Sequence, residues 1–498
     1  MNRIRHFLAK SFATWVIKRQ EKCLQNSVEN QREILKHLIS QAANTKFGKL
    51  HHFKIIKNYQ DFKTHVPIHT YENLVPYISA IKEKGEKNVL WPGLPSYLAK
   101  TAGTTSGEKY IPLTAGSIKQ QVNSAKNALL YYIHETGQCK FLEKKMMFLS
   151  GSPQLEHTKS GIPIGRLSGI VNYHIPSYFK YYHMPSYAIN CIADWETKMQ
   201  HIVKETLQAD IGLISGIPPW LQMYFDYLYA EKGCTIQEIF PNLSLLVHGG
   251  VQFGPYKKKI YETLGKNIPS IETYPASEGF IAFQNSQQEP GLLLQTNSNI
   301  FFEFIPTQSP EKRLWLDEVA VGEEYALVLS TNAGLWAYSL GDTIRFVSLN
   351  PPKIVVTGRL QHFISAFGEH VIVEEVEKAM QNTLQDYPEV TIIDFTVAPW
   401  VSTVKNQPSC HEWLIAFEHP PKNLAMFAAT LDKYLCQLNS YYYDLIAGKV
   451  LAKLKITPLK PHAFKAIREL TCKIGEQHKV IRLANDRKLA DLLLNYHI

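Results

Sequence analysis

The sequence predicts an α/β protein, with a large multi-sheet N-terminal domain over residues 1–360 and a smaller α+β C-terminal domain over residues 361–498. Three observations carry this. From about Leu98, short apolar runs such as Met146-Met147-Phe148-Leu149, Ile211-Gly212-Leu213-Ile214 and Leu245-Leu246-Val247 alternate with helical segments, the pattern of a largely parallel sheet. Between Gly291 and Val347 the runs Phe301-Phe302-Glu303-Phe304 and Tyr325-Ala326-Leu327-Val328-Leu329 shift to alternating strands, as in an antiparallel sheet or a small barrel. After Gly358-Arg359 a helix rich in Glu374, Glu375 and Glu377 opens a further unit, with a hinge placed near Leu360 to His362.

In chain order, the first fifty residues read as helical, since Ile34, Leu35, Leu38 and Ile39 recur at helical spacing before Asn44 and Gly48 break the pattern. Near the N-terminus, Arg3, Arg5, Lys10, Lys18 and Arg19 interrupt Phe7-Leu8 and Trp15-Val16-Ile17. A targeting segment would carry an uninterrupted apolar centre, so an amphipathic helix is expected. The stretch Thr101-Ala102-Gly103-Thr104-Thr105-Ser106-Gly107-Glu108-Lys109 reads as a phosphate-holding loop. Gly103 and Gly107 let backbone N–H groups approach an anion, the hydroxyls of Thr101, Thr104, Thr105 and Ser106 add donors, and Lys109 supplies positive charge. Its spacing is not that of a Walker loop, and the same run also suits a plain surface turn.

Helices are expected over residues 115–133 and 220–232, and Ser150-Gly151-Ser152, Ser215-Gly216 and His248-Gly249-Gly250 each follow an apolar run. Ligands of parallel sheets sit at such carboxyl ends, so these loops can line one crevice. Ser150, Gly151, Gly216, Ile217 and Trp220 suit a pocket for a flat apolar or aromatic acid, although Pro219 equally fits a strand-to-helix turn. Tyr274-Pro275-Ala276-Ser277-Glu278-Gly279 offers a ring that can stack on a base and a carboxylate that can hold Mg²⁺; an aromatic strand end with a capping Ser is the plainer alternative. Tyr338-Ser339-Leu340-Gly341-Asp342 is expected to end a strand on an Asp able to accept both hydroxyls of a ribose, or simply to turn there. Arg359 can contact ribose or phosphate, or stand as an exposed ion-pairing arginine.

Composition narrows the classes. Hydrophobic residues at 45% and charged residues at 19% describe a soluble globular chain, and no apolar run reaches the roughly 18 residues a membrane span needs. A net charge of +9, spread without long basic blocks, points to small anionic ligands and not to nucleic acid. Seven scattered cysteines without a C-x-x-C suggest a reducing cytoplasm and no zinc site, and the nineteen histidines include no H-E-x-x-H.

The order of these motifs resembles the adenylate-forming superfamily of luciferase and the acyl-CoA ligases. More closely, the segment from Glu86 to Gly93 (Glu86-Lys87-Asn88-Val89-Leu90-Trp91-Pro92-Gly93), the Tyr-Pro-Ala-Ser-Glu-Gly form at Tyr274, Phe301-Phe302-Glu303-Phe304-Ile305-Pro306, Phe367-Gly368-Glu369-His370 and Lys479-Val480-Ile481-Arg482 look like the Gretchen Hagen family of auxin-responsive acyl-acid amido synthetases, in its bacterial branch. The resemblance spans essentially the whole chain. It implies a ligase that uses ATP and Mg²⁺ to adenylate a carboxylic acid, with release of pyrophosphate, and then passes the acyl group to an amine, commonly an amino acid.

Carried onto this sequence, the resemblance puts residues 101–107 and Lys109 at the phosphates, with Thr105 among the catalytic groups. It puts Gly249, Gly250, Val251 and Tyr274 at the adenine, Ser277 near the phosphates and Glu278 on Mg²⁺. Asp342 and Arg359 fall at the ribose, and Lys479, from a mobile small domain, at the reacting α-phosphate and carboxylate. Five positions depart from the pattern: Ala102 in place of a serine, Ser339 in place of an arginine, Gln361 and His362 at the hinge, and Ile481 in place of a proline. An acyl-CoA ligase and a catalytically inactive nucleotide-binding relative are the alternatives.

Overall fold

Short apolar runs closed by glycine or serine become the parallel half of one sheet. Strands Lys145–Phe148, Ile211–Gly216, Leu245–Gly249 and Ser270–Pro275 lie side by side, with His183–Met184 at the outer edge, all parallel. Their apolar residues run without polar alternation because both faces are covered. Met147, Ile214 and Leu246 pack with Leu221, Phe225 and Ile260 from helices Pro218–Lys232 and Gly254–Leu264. Their neighbours Met146, Leu213, Leu245 and Ile271 face the other way, toward Ala13 and Ile17 of helix Asn2–Leu24 and Tyr131 and Tyr132 of helix Ala115–Thr136. The last of these helices starts where Thr114 accepts a hydrogen bond from the Ser117 N–H, and the helix after Gly216 starts on Pro218 and Pro219, which need no N–H partner there.

The structure, a computed structural model, describes residues 2–102, 108–192, 194–251, 253–359, 363–364, 366–369, 371–402, 408–471 and 482–498. The expected hinge at 360–362 lies outside the described residues. Among them, no helix is long and apolar enough to cross a membrane.

The antiparallel strands expected between Gly291 and Val347 are no separate sheet or barrel. They continue the parallel half through Phe280–Phe283, Leu292–Leu294, Pro352–Arg359, Tyr338–Leu349, Glu324–Thr331 and Ile300–Pro306 to Leu314–Trp315, making one sheet of twelve strands. This sheet curls. Strands Ser270–Pro275 and Tyr338–Leu349 are four places apart in its order, roughly 19 Å if it were flat, yet the Tyr274 hydroxyl donates a hydrogen bond to the Asp342 carboxylate. A smaller four-stranded sheet contains the antiparallel pair Tyr97–Ala102 and Glu108–Leu113, the strands on either side of residues 103–107.

The last third is α+β. Strands Thr391–Trp400, Cys410–His419 and Lys455–Leu459 form a three-stranded sheet, accompanied by helices Val373–Asp386 and Leu424–Leu438. Its side chains Phe367, Val376, Trp413 and Phe427 belong to the same apolar cluster as Leu221 and Phe225 of the larger part.

Candidate active site

Asp342 is the fifth of twelve residues in strand Tyr338–Leu349, inside the strand and not at the end of one as the sequence suggested. The reason lies far away in the chain. Gly334 takes a φ of 92°, and a Cβ there would lie 2.9 Å from the Leu90 carbonyl carbon, so the chain turns tightly over the Glu86-to-Gly93 segment. Trp336 then donates its indole N–H to the Leu90 carbonyl at 3.0 Å, and the Ser339 N–H bonds the His69 carbonyl at 2.8 Å. Two N-terminal segments thus hold the strand that carries Asp342, which is buried. Arg359 is the backbone partner of Asp342 across the neighbouring strand; its side chain is not among those described.

Tyr274 is the last residue but one of strand Ser270–Pro275, and the turn after it is closed by reciprocal backbone bonds between Ala276 and Gly279, at 2.9 and 3.1 Å. Gln121 donates to the Ala276 carbonyl at 2.9 Å and ties this turn to helix Ala115–Thr136. Ser277 and Glu278 are half-buried on the turn. One strand over, Gly249 packs so closely that a Cβ would sit 2.2 Å from the Thr273 carbonyl oxygen. Gly250 follows at φ 82°, and Val251 after it is half-buried. His248 is buried and stacked on Phe253 at 3.9 Å; burial pushes its pKa down to about 4, so the imidazole beside Gly249 is neutral.

Ile217 joins this side of the site to the expected acyl side. Its Cγ2 lies 3.1 Å from where Gly250 would carry a Cβ, and its Cδ1 lies 3.1 Å from the same position on Gly368. Gly216 packs against Leu149, and the Leu149 N–H bonds the Ser215 carbonyl at 2.8 Å, so Ser150 and Gly151 emerge beside Gly216 and Ile217. Trp220 rests against Trp195 with ring centroids 4.7 Å apart, and its buried indole N–H has no hydrogen-bond partner among the described residues. Gly250, Ile217, Gly216 and Ser150 therefore line the carboxyl ends of consecutive parallel strands.

Two cations here escaped the sequence reading. Lys198 is buried and donates to the carbonyls of Asn190 and Ser150 at 2.8 and 3.2 Å; burial depresses its pKa to about 8. Its signal was present: Trp195, Lys198, Met199 and Ile202 recur at helical spacing, placing a lysine on an apolar stripe. Arg166 packs beside Gly151, pairs with Asp444 and lies 4.4 Å from the Tyr441 ring centroid. Tyr441 in turn donates to the Lys100 carbonyl at 3.1 Å, two residues before the end of strand Tyr97–Ala102. No local pattern marks Arg166, because its partners lie some 280 residues away.

Of the expected phosphate loop, Gly103, Thr104, Thr105, Ser106 and Gly107 lie outside the described residues, as does Lys479. Thr101 and Lys109 are paired across the two strands, one pair short of the end next to residues 103–107, and the Lys109 ammonium lies 5.4 Å from the Tyr71 ring centroid. Past Lys479, Arg482 pairs with Asp394, and its carbonyl accepts from the Val397 N–H at 2.9 Å. Glu303, from the Phe301 motif, is fully buried in a two-point pair with Arg313 at 2.6 and 2.9 Å, which makes that motif structural. Glu369 of the Phe367 motif accepts from the Phe367 N–H at 2.9 Å and pairs with His411 at 2.7 Å, both side chains fully buried.

This donor set suits a magnesium nucleotide. Mg²⁺ is commonly held by one or two carboxylates together with substrate phosphates, which asks only Glu278 of the protein. A carboxylate beside a phenol, Asp342 with Tyr274, suits ribose hydroxyls next to a base.

Glycine turns at the carboxyl ends of a parallel half-sheet, an antiparallel continuation and an α+β last third together make the fold of the adenylate-forming ligases. A solved 2-hydroxyisobutyryl-CoA ligase matches it with a TM-score of 0.58 at 13% identity, over 96% of this chain and 92% of that one. The chain belongs to the GH3 family: sequence profiles described as the GH3 family N-terminal, central and C-terminal domains match residues 16–191, 293–359 and 374–488. Among its relatives are a probable indole-3-acetic acid-amido synthetase, GH3.1 of Arabidopsis thaliana, 21% identical over 95% of this chain and 92% of its own length. The jasmonoyl–L-amino acid synthetase JAR6 of Nicotiana attenuata is 25% identical over 66% of this chain and 68% of its own. The solved GH3.15 acyl acid amido synthetase matches with a TM-score of 0.61 at 19% identity, over 97% of this chain and 96% of that one.

Proposed function

We propose that this protein is an ATP-dependent acyl-acid amido synthetase, acting in the cytoplasm and of the bacterial type, that joins a carboxylic acid to an amine, most simply an amino acid. The observation that carries the reading is the Tyr274 hydroxyl on the Asp342 carboxylate, held at the carboxyl edge where Gly249, Gly250 and Ile217 meet. The names of the relatives support the reaction class.

In the first half-reaction a carboxylate oxygen of the acid attacks the α-phosphorus of ATP, and the bond to pyrophosphate breaks. In the second the amine attacks the acyl carbon, AMP leaves with the electron pair, and the amine loses a proton. Asp342, with Arg359, holds the ribose; Tyr274, Gly249, Gly250 and Val251 border the adenine; Thr101, the 103–107 loop, Lys109 and Ser277 hold the phosphates. Glu278 holds Mg²⁺, which when bound neutralises phosphate charge. Lys479 offsets the repulsion between the carboxylate and the α-phosphate, and Thr105 donates to the phosphate as it reacts. Ser150, Gly151, Gly216, Ile217 and Trp220 receive the acyl group. Residues 1–360 act as the adenylation domain, and residues 361–498 as a small domain that moves between the two half-reactions.

Carboxylate-dependent exchange of labelled pyrophosphate into ATP, run over aromatic, indolic and fatty acids, tests the first half-reaction. Exchange with at least one acid is expected, and Glu278→Gln should abolish it by roughly two orders of magnitude or more. Lys479→Ala should lower kcat with little change in the KM for ATP. ATP binding without exchange, and insensitive to Glu278→Gln, would mean a binding protein. An acyl-CoA product in place of an amide would mean a thioester ligase.

A further inference from the structure

Helix Asn2–Leu24 has one face that the catalytic reading leaves unused. Its inner side is fixed to the protein, with Ala13 and Ile17 fully buried against the helix Ala115–Thr136. Its outer side carries Ile4, Phe7, Leu8, Phe12 and Trp15, which are 68, 69, 59, 50 and 61% exposed. Single exposed apolar residues are ordinary, but two phenylalanines, a tryptophan, a leucine and an isoleucine on consecutive turns of one face are a patch. Phe12 and Trp15 stack at 6.2 Å, so the patch has a continuous aromatic surface.

The same face changes character along the helix. Positions 4, 8, 11, 15, 18 and 22 form one row at alternating spacings of four and three, and the row passes from Ile4, Leu8 and Trp15 to exposed Lys18 and Lys22, with Arg19 beside them. The helix holds six basic residues against one acidic residue, Glu21. We propose that this face lies on an anionic phospholipid surface, with the helix in the plane of the membrane. Phe7, Phe12 and Trp15 reach the acyl boundary, and Lys18, Arg19 and Lys22 meet the headgroups. A second copy of the chain fits less well. A parallel pairing would set the basic turns against each other, and an antiparallel one would set them on Ile4 and Phe7, so neither supplies counter-charge. The bilayer satisfies both halves of the row. This proposal is independent of the ligase reading.

The test is co-sedimentation of the full chain with phosphatidylcholine vesicles, with and without about one third phosphatidylserine. Binding to the anionic vesicles, weakened by salt, is expected. Removing three basic residues at such a surface should cost about a hundredfold in affinity, so Lys18→Gln, Arg19→Gln and Lys22→Gln together should release the protein. The apolar set Phe7→Gln, Phe12→Gln and Trp15→Gln should do the same, with the melting temperature unchanged in both because these side chains are already exposed. Parent protein that ignores anionic vesicles, or variants that bind as well as the parent, would overturn the proposal. So would a dimer in sedimentation equilibrium that the apolar set dissolves while vesicle binding is absent, since the face would then belong to a second copy.

Discussion

At the scale of single residues, the Tyr274–Asp342 hydrogen bond is the joint of the site. It fixes a ring and a carboxylate that arrive from strands 68 residues apart in sequence. A hydrogen bond to a charged group is worth about 1.5–3 kcal/mol when its geometry is held by the fold. Tyr274→Phe keeps the ring and removes the donor, so Asp342 loses the group that orients it. Nucleotide affinity should fall by about tenfold, with a smaller fall for a ligand lacking the ribose, because the role proposed for Asp342 is on the ribose. Isothermal titration with ATP and with tripolyphosphate separates the two; equal losses for both would remove Tyr274 from the ribose side. The residue types were legible in the sequence, as was their order. Their meeting was not, because it depends on the curl of a twelve-stranded sheet, which no local pattern encodes.

At the scale of elements, the strands and helices that bury both faces or one stripe were legible, since apolar periodicity reports burial directly. The position of Asp342 within its strand was misread because the turn before it is set by Leu90 and His69, contacts that residues 332–342 do not reveal. The acidic helix Val373–Asp386 shows the same divide. Its Glu374-Glu375-Val376-Glu377 run marks an acidic helix but does not reveal that Glu375 turns inward. It accepts from the Ile372 N–H at 3.1 Å and the Asn439 side chain at 2.9 Å, and burial raises its pKa from 4.5 to about 7. The folded pKa exceeds the unfolded one, so the native state holds an extra proton between those values. Stability is then greatest below pH 4.5 and falls as pH rises toward 7 and levels off beyond it, by at most about 3 kcal/mol. Glu375→Gln keeps an acceptor for both donors and removes the titration. The variant should match the parent near pH 4.5 and melt above it at pH 8, and a melting-temperature offset that stays constant with pH would contradict this assignment.

At the scale of the whole molecule, the last third is seated on the rest through a seam that is partly apolar and partly ionic. Arg166 pairs with Asp444, Lys449 reaches Glu196 at 2.6 Å, Tyr441 bonds the Lys100 carbonyl, and Tyr256 bonds the Ala366 carbonyl at 2.8 Å. If residues 361–498 change position between adenylation and acyl transfer, all four of these contacts have to break each cycle. Exposed ion pairs suit such a seam, because each is weak enough to open. Asp444→Asn and Lys449→Gln together remove both ionic contacts and leave the apolar core untouched. In the ligand-free protein, amide hydrogen exchange in residues 440–449 and in the 97–101 strand beneath Tyr441 should then quicken by about fivefold, while the Cys410–His419 strand in the core of the last third keeps its protection. Exchange that quickens throughout 410–459 would mean that the ion pairs hold the fold of the last third itself. Exchange that does not change at all would mean that the apolar seam alone fixes the two parts, leaving a moving small domain without support.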